Sequence, residues 1–194
     1  MLDGTDPPGA TPLGRHELAG LRPSWITTRA DLDEAEQANI LAGQAWAKRA
    51  RKTELLSEDF ARALHRAMFR DVWRWAGEYR TRETNIGVLP HGIRPAMREF
   101  LDTARYWLET RPFPDDEIAL LVHHRLVQIH PFPNGNGRHT RLMADLVAEQ
   151  LGRSPFTWGR TSLVAAGPTR ASYIAALREA DNHHLAPLLA FARS

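Results

Sequence analysis

Apolar residues along this chain recur at helical rather than alternating spacing. Leu32, Ala35, Ile40, Leu41 and Trp46 mark a first amphipathic helix that opens at Asp31, Asp33 and Glu34 and ends near Arg51. Ser57, followed by Glu58 and Asp59, is a helix start, and Phe60, Leu64, Met68 and Trp75 continue one stripe until Gly77 stops it. Met97, Leu101, Ala104 and Leu108 form the next stripe, broken by Pro112 and Pro114; Asp115, Asp116 and Glu117 then open a run that reaches His130. Residues 137–151, 170–180 and 185–192 complete the helical pattern. The one candidate for strand is 81–95, where two glycines and two prolines surround Ile86, Val88 and Leu89. Residues 1–30, whose first two dozen are rich in Gly, Pro and Thr, read as an irregular arm. The expectation is an all-α helical domain over 31–194 with a small β-hairpin.

Composition narrows the chemistry. The hydrophobic fraction of 43% and six tryptophans are enough for one core, and 25% charged residues cover it. The net charge of only +2 does not argue for nucleic acid. The densest basic cluster, 48–52, has no interleaved aromatics to stack bases and reads as a solvated helix end. With no cysteine, disulfides, thiolate catalysis and cysteine-bound zinc are excluded, which fits the cytoplasm. No stretch has the apolar length of a signal peptide or of a span, so neither export nor a membrane is expected.

The segment IHPFPNGNGRHTRLMAD, 129–145, carries the chemistry. Gly135 and Gly137 let the backbone turn and approach a ligand, and the helix that begins there offers unpaired N–H groups and the positive end of its dipole. Arg138 and Arg141 stand three residues apart on one face, so both guanidinium groups can reach one polyphosphate. His130, where the preceding helix enters the loop, is suited to take a proton near neutral pH. Phe132 offers no acid, base or donor and is the anchor of the loop. Asn134 can lend an amide oxygen to magnesium.

The string His130-x-Phe132-x-Asn134-Gly135-Asn136-Gly137-Arg138-x-x-Arg141 resembles the signature of the Fic (Fido-domain) family, His-x-Phe-x-(Asp/Glu)-Gly-Asn-Gly-Arg-x-x-Arg. The run FRDVWRWAGEYR, 69–80, is similar to the segment that leads into that family's flap, and the resemblance spans about 57–180. It implies a helical bundle with a hairpin flap and a protein adenylyltransferase that moves AMP from ATP to a Ser, Thr or Tyr hydroxyl of a target protein. In that scheme His130 is the general base, Gly135 to Arg138 (Asn136 included) cradle the α- and β-phosphates, and Arg141 holds the β- and γ-phosphates. Magnesium or manganese accompanies the triphosphate, and the flap, with Ile86, Gly87 and Val88, docks the target.

Asn134 stands where the family has an acid, which implies weaker metal binding. Gly135, Gly137 and Arg141 favour nucleotidyl transfer over the phosphoryl transfer of the related Doc proteins, which have Ala-Asn-Lys and lack the second arginine. The family's inhibitory Ser/Thr-x-x-x-Glu-Gly/Asn is missing, so the brake is absent, comes from an antitoxin-type partner, or is supplied in cis by Glu34 or Glu36 acting on Arg141. The amino-terminal segment is similar to that of the bacterial subgroup called mobile mystery protein B, usually encoded beside a helix-turn-helix protein. Two rivals remain: a nucleotide-binding module that has lost turnover through Asn134, and a zinc hydrolase built on His123, His124, His130, His139, His183 and His184. The histidine spacing disfavours the second.

Overall fold

The computed structural model describes residues 11–50, 55–160, 163 and 167–194. Residues 1–10 of the arm, and Arg51 and Lys52 of the basic cluster, lie outside the described residues. A short helix α1 (Arg15–Leu18) precedes α2 (Arg29–Arg49), which starts two residues earlier than the apolar pattern indicates. The reason is Thr28: its hydroxyl accepts the Asp31 N–H while the Asp31 carboxylate accepts the Thr28 N–H, a reciprocal cap. α3 (Glu58–Phe69) begins on Ser57, whose hydroxyl accepts the Phe60 N–H at 3.0 Å.

Helix α3 ends at Phe69 rather than continuing to Gly77. The stripe through Trp75 is apolar, but tertiary partners claim the backbone beyond Arg70. Arg22 N–H donates to the Val72 carbonyl at 2.9 Å, and Arg74 N–H donates to Gly20 at 2.8 Å. Leu21 and Trp73 thereby form an isolated β-bridge, which ties the amino-terminal segment to the turn after α3.

The remaining helices are α4 (Ile93–Thr110), α5 (Asp115–Ile129), α6 (Asn136–Gln150), α7 (Pro168–Asp181) and α8 (Ala186–Arg193), with 3₁₀ turns at Pro90–Gly92 and Trp158–Arg160. α5 and α6 pack closely along one another at the centre, flanked by α4 and α8 on the α5 side and by α3 against α6. Leu120, Leu126 and Ile129 of α5 and Met143, Ala144 and Val147 of α6 are fully buried. The loop from His130 to Gly135 therefore joins the two helices most deeply set in the core. A loop there inherits their rigidity, which is what a preorganised site requires.

The expected hairpin at 81–95 is not formed: no strand occurs among the described residues, and 81–89 is an irregular loop that enters the Pro90–Gly92 turn. Arg80 explains the difference. Its buried guanidinium donates to the carbonyls of His130 (2.7 Å), Arg82 (2.8 Å) and Val88, while the Arg80 N–H donates to Pro131 and the Val88 N–H to Ile129. One side chain thus satisfies carbonyls that a hairpin would pair across strands. The loop is fastened to 129–131 instead of to itself. No helix among the described residues is long and apolar enough to cross a membrane.

Candidate active site

His130 closes α5 in the left-handed conformation, φ 52° and ψ 60°, so the chain turns sharply and the imidazole stays against the core, 5% exposed. A non-glycine residue held there signals a backbone over-determined by its surroundings. Those surroundings are the Arg80 bond to its carbonyl and Gly87 of the 81–89 loop. Gly87 has φ +107°, and a Cβ on it would come within 2.6 Å of His130 Cβ and 2.7 Å of the Arg80 guanidinium, so only glycine lets the loop approach this closely. Ile86, half exposed beside it, lines the same cavity as His130.

Phe132 is fully buried and stacks on His65 with ring centroids 3.8 Å apart. His65 Nδ1 accepts the Gly77 N–H at 2.9 Å, so the proton resides on Nε2, which donates to the Asn134 carbonyl at 3.0 Å. One neutral histidine of α3 thus braces both the turn at Gly77 and the loop. Asn136 is 2% exposed, and its amide is committed to Phe132, accepting its N–H and donating to its carbonyl. What Asn136 offers a ligand is its main-chain N–H. Gly135, φ +77°, begins α6 with no side-chain cap, and a Cβ there would meet the Phe69 ring at 2.6 Å. The first N–H groups of α6 are left as donors at the positive end of the helix.

Gly137 differs from its neighbours. A Cβ there would find only the Arg141 guanidinium, at an ordinary 3.5 Å, so the fold does not demand glycine. We expect Gly137→Ala to melt at the same temperature as the parent or slightly above it, because alanine gains about 0.5–1 kcal/mol within a helix. Its triphosphate affinity should fall at least about tenfold, since the methyl group stands where phosphate oxygens would meet the amides. Thermal melts and calorimetric titration with ATP check both halves.

Arg138 and Arg141 line one cavity with His130 and Gly137, and the structure adds Arg29 from α2 and Arg170 from α7. Arg141 lies over the Tyr173 ring at 5.5 Å, and the Tyr173 hydroxyl pairs with His123 Nε2 at 3.0 Å. Leu163, Ile174 and Leu177 supply an apolar part of the wall. Such a cavity, cationic in one part and apolar in another, suits a polyphosphate attached to a flat heterocycle.

Arg138 is not idle. Its Nη1 donates to the Glu36 carboxylate at 2.6 Å, the guanidinium stacks over Phe69 at 4.9 Å, and the other Glu36 oxygen accepts the Trp73 indole N–H at 2.7 Å. Of the two acids named from the sequence, Glu34 is exposed and Glu36 engages Arg138 rather than Arg141. The correction is one of helix phase: α2 turns Glu36, together with Asn39, toward α3 and the loop.

The residues present do not make a ready magnesium site. Asn134 Oδ1 already accepts the Gly135 N–H at 2.6 Å and stands 3.5 Å from the Arg138 guanidinium, and its Nδ2 donates to the Thr11 carbonyl. No group of three histidine, cysteine or acidic side chains able to hold a metal occurs among the described residues. A single amide oxygen beside a cation is a poor cage for a dication.

Burial pushes His130 down to about 4, with the Arg80 charge adding to it. Burial likewise lowers His139 to about 4, His123 to about 3, and His65 well below its usual value. These rings are neutral in the folded state at pH 7 and protonate near 6.5 when unfolded, so below that pH the unfolded chain binds more protons. Stability therefore falls as the pH drops from about 6.5 toward 4, by up to about 1.4 kcal/mol per unit for each ring that stays neutral. Asp145, raised by burial to about 7, acts in the opposite direction but is one group against four. Denaturant midpoints at neutral pH and near pH 5 should show the loss, and equal midpoints would contradict it.

Fold and cavity together define a helical protein in which an uncapped helix N-terminus, several arginines and one buried imidazole line the same cavity. Residues 55–148, just under half of the chain, match the Fic/DOC family. The protein adenylyltransferase fic-1 of Caenorhabditis elegans is 30% identical over 123 residues, which are 60% of this chain and 22% of that relative. The chain thus spans under a quarter of that relative's length. A solved structure of C. elegans Fic-1 is 26% identical with a TM-score of 0.60, covering 81% of this chain and 47% of the other. BepC of Bartonella tribocorum, solved with bound AMPPNP, shares the fold at a TM-score of 0.69 and 14% identity, covering 93% and 97%.

The helix-loop-helix set from His130 to Arg141 was legible in the sequence, and the structure brings His130, Asn134 to Arg138 and Arg141 to one cavity while Phe132 is buried beneath it. Arg29, Arg80, Arg170, Tyr173 and His65 were not singled out. They sit on other elements, and no spacing rule connects an isolated arginine to a distant loop.

Proposed function

We propose that this protein is an adenylyltransferase that moves AMP from ATP to a Ser, Thr or Tyr hydroxyl of a target protein, with His130 as the general base. The observation that carries the reading is the convergence on one cavity of a neutral imidazole, an uncapped helix N-terminus and the Arg138 and Arg141 guanidinium groups. The names of the relatives support the same activity. In this proposal the amides of Gly135 to Arg138 and the two signature arginines hold the phosphates, and the Leu163, Ile174 and Leu177 wall takes the base. Arg170 and Arg29 add positive charge around the triphosphate. The neutral His130 takes the hydroxyl proton as the oxygen attacks the α-phosphorus, and the leaving pyrophosphate is stabilised by guanidinium groups. Magnesium is brought by the triphosphate rather than by a protein cage. Phe132 holds the loop, and the 81–89 segment with Ile86, Gly87 and Val88 borders the entrance where a target segment would lie. A cytoplasmic location fits the absence of cysteine, and a small antitoxin-like partner is the expected external control.

The test is incubation of the purified chain and a bacterial lysate with α-labelled and, separately, γ-labelled ATP. Protein label from α-ATP alone supports the proposal. Label from γ-ATP would make it a Doc-like phosphotransferase, and ATP binding without label from either would make it a binding module, a reading that the engaged Asn134 oxygen favours over the phosphotransferase.

A further inference from the structure

The hydroxyl of Thr11 lies 2.8 Å from His130 Nε2. Both residues are buried, Thr11 at 8% and His130 at 5% exposure, so this is a seated contact and not a surface encounter. Thr11 is pinned at a second point, because Asn134 Nδ2 donates to its carbonyl at 2.9 Å. Asn134 has matched partners on both sides of its amide, Gly135 N–H on the oxygen and the Thr11 carbonyl on the nitrogen. A carboxylate at this position would have no N–H to give and would repel the carbonyl. Pro12 follows directly and biases Thr11 toward extended backbone, and Leu13 packs against the core, which anchors the segment beside the cavity. Thr11 lines the cavity that also holds Gly137, Arg138 and Arg141.

From this geometry we infer that Thr11 is an acceptor within the chain itself, modified by nucleotidyl transfer from the nucleoside triphosphate bound in its own cavity. The inference rests on the function proposed above. In the step, the Thr11 hydroxyl proton passes to His130 Nε2, the oxygen forms a bond to the α-phosphorus, and the bond from that phosphorus to the β-bridging oxygen breaks. Pyrophosphate leaves with the electron pair, and Thr11 carries a phosphodiester-linked nucleoside. Until it reacts, Thr11 occupies the base, so an external hydroxyl must displace it.

The experiment incubates the full chain with magnesium and α-labelled ATP, with and without a bacterial lysate, followed by intact mass and fragmentation of the amino-terminal tryptic peptide, which ends at Arg15 and contains both Thr5 and Thr11. Thr11→Val, Thr11→Ser and His130→Ala are run in parallel, with thermal melts to confirm that each is folded. The expected result is one adduct per chain at Thr11, formed at a rate independent of protein concentration. It is retained in Thr11→Ser and lost in Thr11→Val and His130→Ala. An adduct at Thr5 or elsewhere, or label on lysate proteins with none on Thr11, overturns the acceptor assignment while leaving adenylyl transfer intact. Faster labelling of lysate by Thr11→Val without any wild-type adduct would make Thr11 a plug only. No transfer to chain or lysate, with ATP still bound, would overturn the function and this inference together.

Discussion

His130→Ala is expected to lower AMP transfer by about 10²–10⁴-fold, the usual worth of a positioned general base, while ATP affinity changes little. The split follows from the geometry. His130 meets a hydroxyl through Nε2, whereas the groups proposed to hold the phosphates come from α6 and from arginines on other elements that line the cavity. Because His130 sits in the left-handed region, His130→Asn is the better second variant: asparagine tolerates that backbone and still lacks a base. Both variants should be equally inactive. Burial and Arg80 keep the imidazole neutral down to about pH 4, so kcat/KM should not show an ordinary histidine titration near 6.5. The kcat profile should turn down at higher pH than kcat/KM, because the bound triphosphate's negative charge favours the imidazolium. Single-turnover rates and calorimetry test the split. A variant that loses ATP binding in parallel with transfer would assign His130 to binding instead.

Glu36→Gln is expected to raise ATP affinity about tenfold or more and to raise transfer with it. The Glu36 carboxylate is 7% exposed and holds Arg138 at 2.6 Å, so a phosphate that recruits Arg138 must first break a charge-assisted bond. Such bonds are worth about 1.5–3 kcal/mol, and about 1.4 kcal/mol is a factor of ten. Glutamine keeps the volume and leaves an oxygen for the Trp73 indole, so the core around α2 and α3 survives. The ligand-free protein should nonetheless melt lower, because Arg138 loses its partner in a part-buried place, and ATP should restore more of the melting temperature in the variant than in the parent. If affinity and rate stay within about twofold of the parent, Glu36 is only a structural partner of Trp73 and Arg138 does not bind phosphate.

The two results concern residues far apart in sequence, and this divides what could be read from the chain from what could not. Helix periodicity, the Ser57 and Asp115 starts and the loop 130–141 are local patterns: 3.6-residue spacing, capping chemistry and a run of glycines act between near neighbours, so sequence alone determined the all-α fold and the loop that lines the cavity. Local patterns also misled. Trp75 continues the α3 stripe, yet Gly20 and Arg22 take the backbone that would have extended it, and Ile86 and Val88 suggest a hairpin that Arg80 replaces. The tertiary structure alone decided that Glu36 meets Arg138 across 102 residues and that Thr11 meets His130 across 119. Those contacts depend on helix phase, on the angle between α2 and α3, and on where an arm enters the core, none of which a spacing within one segment encodes.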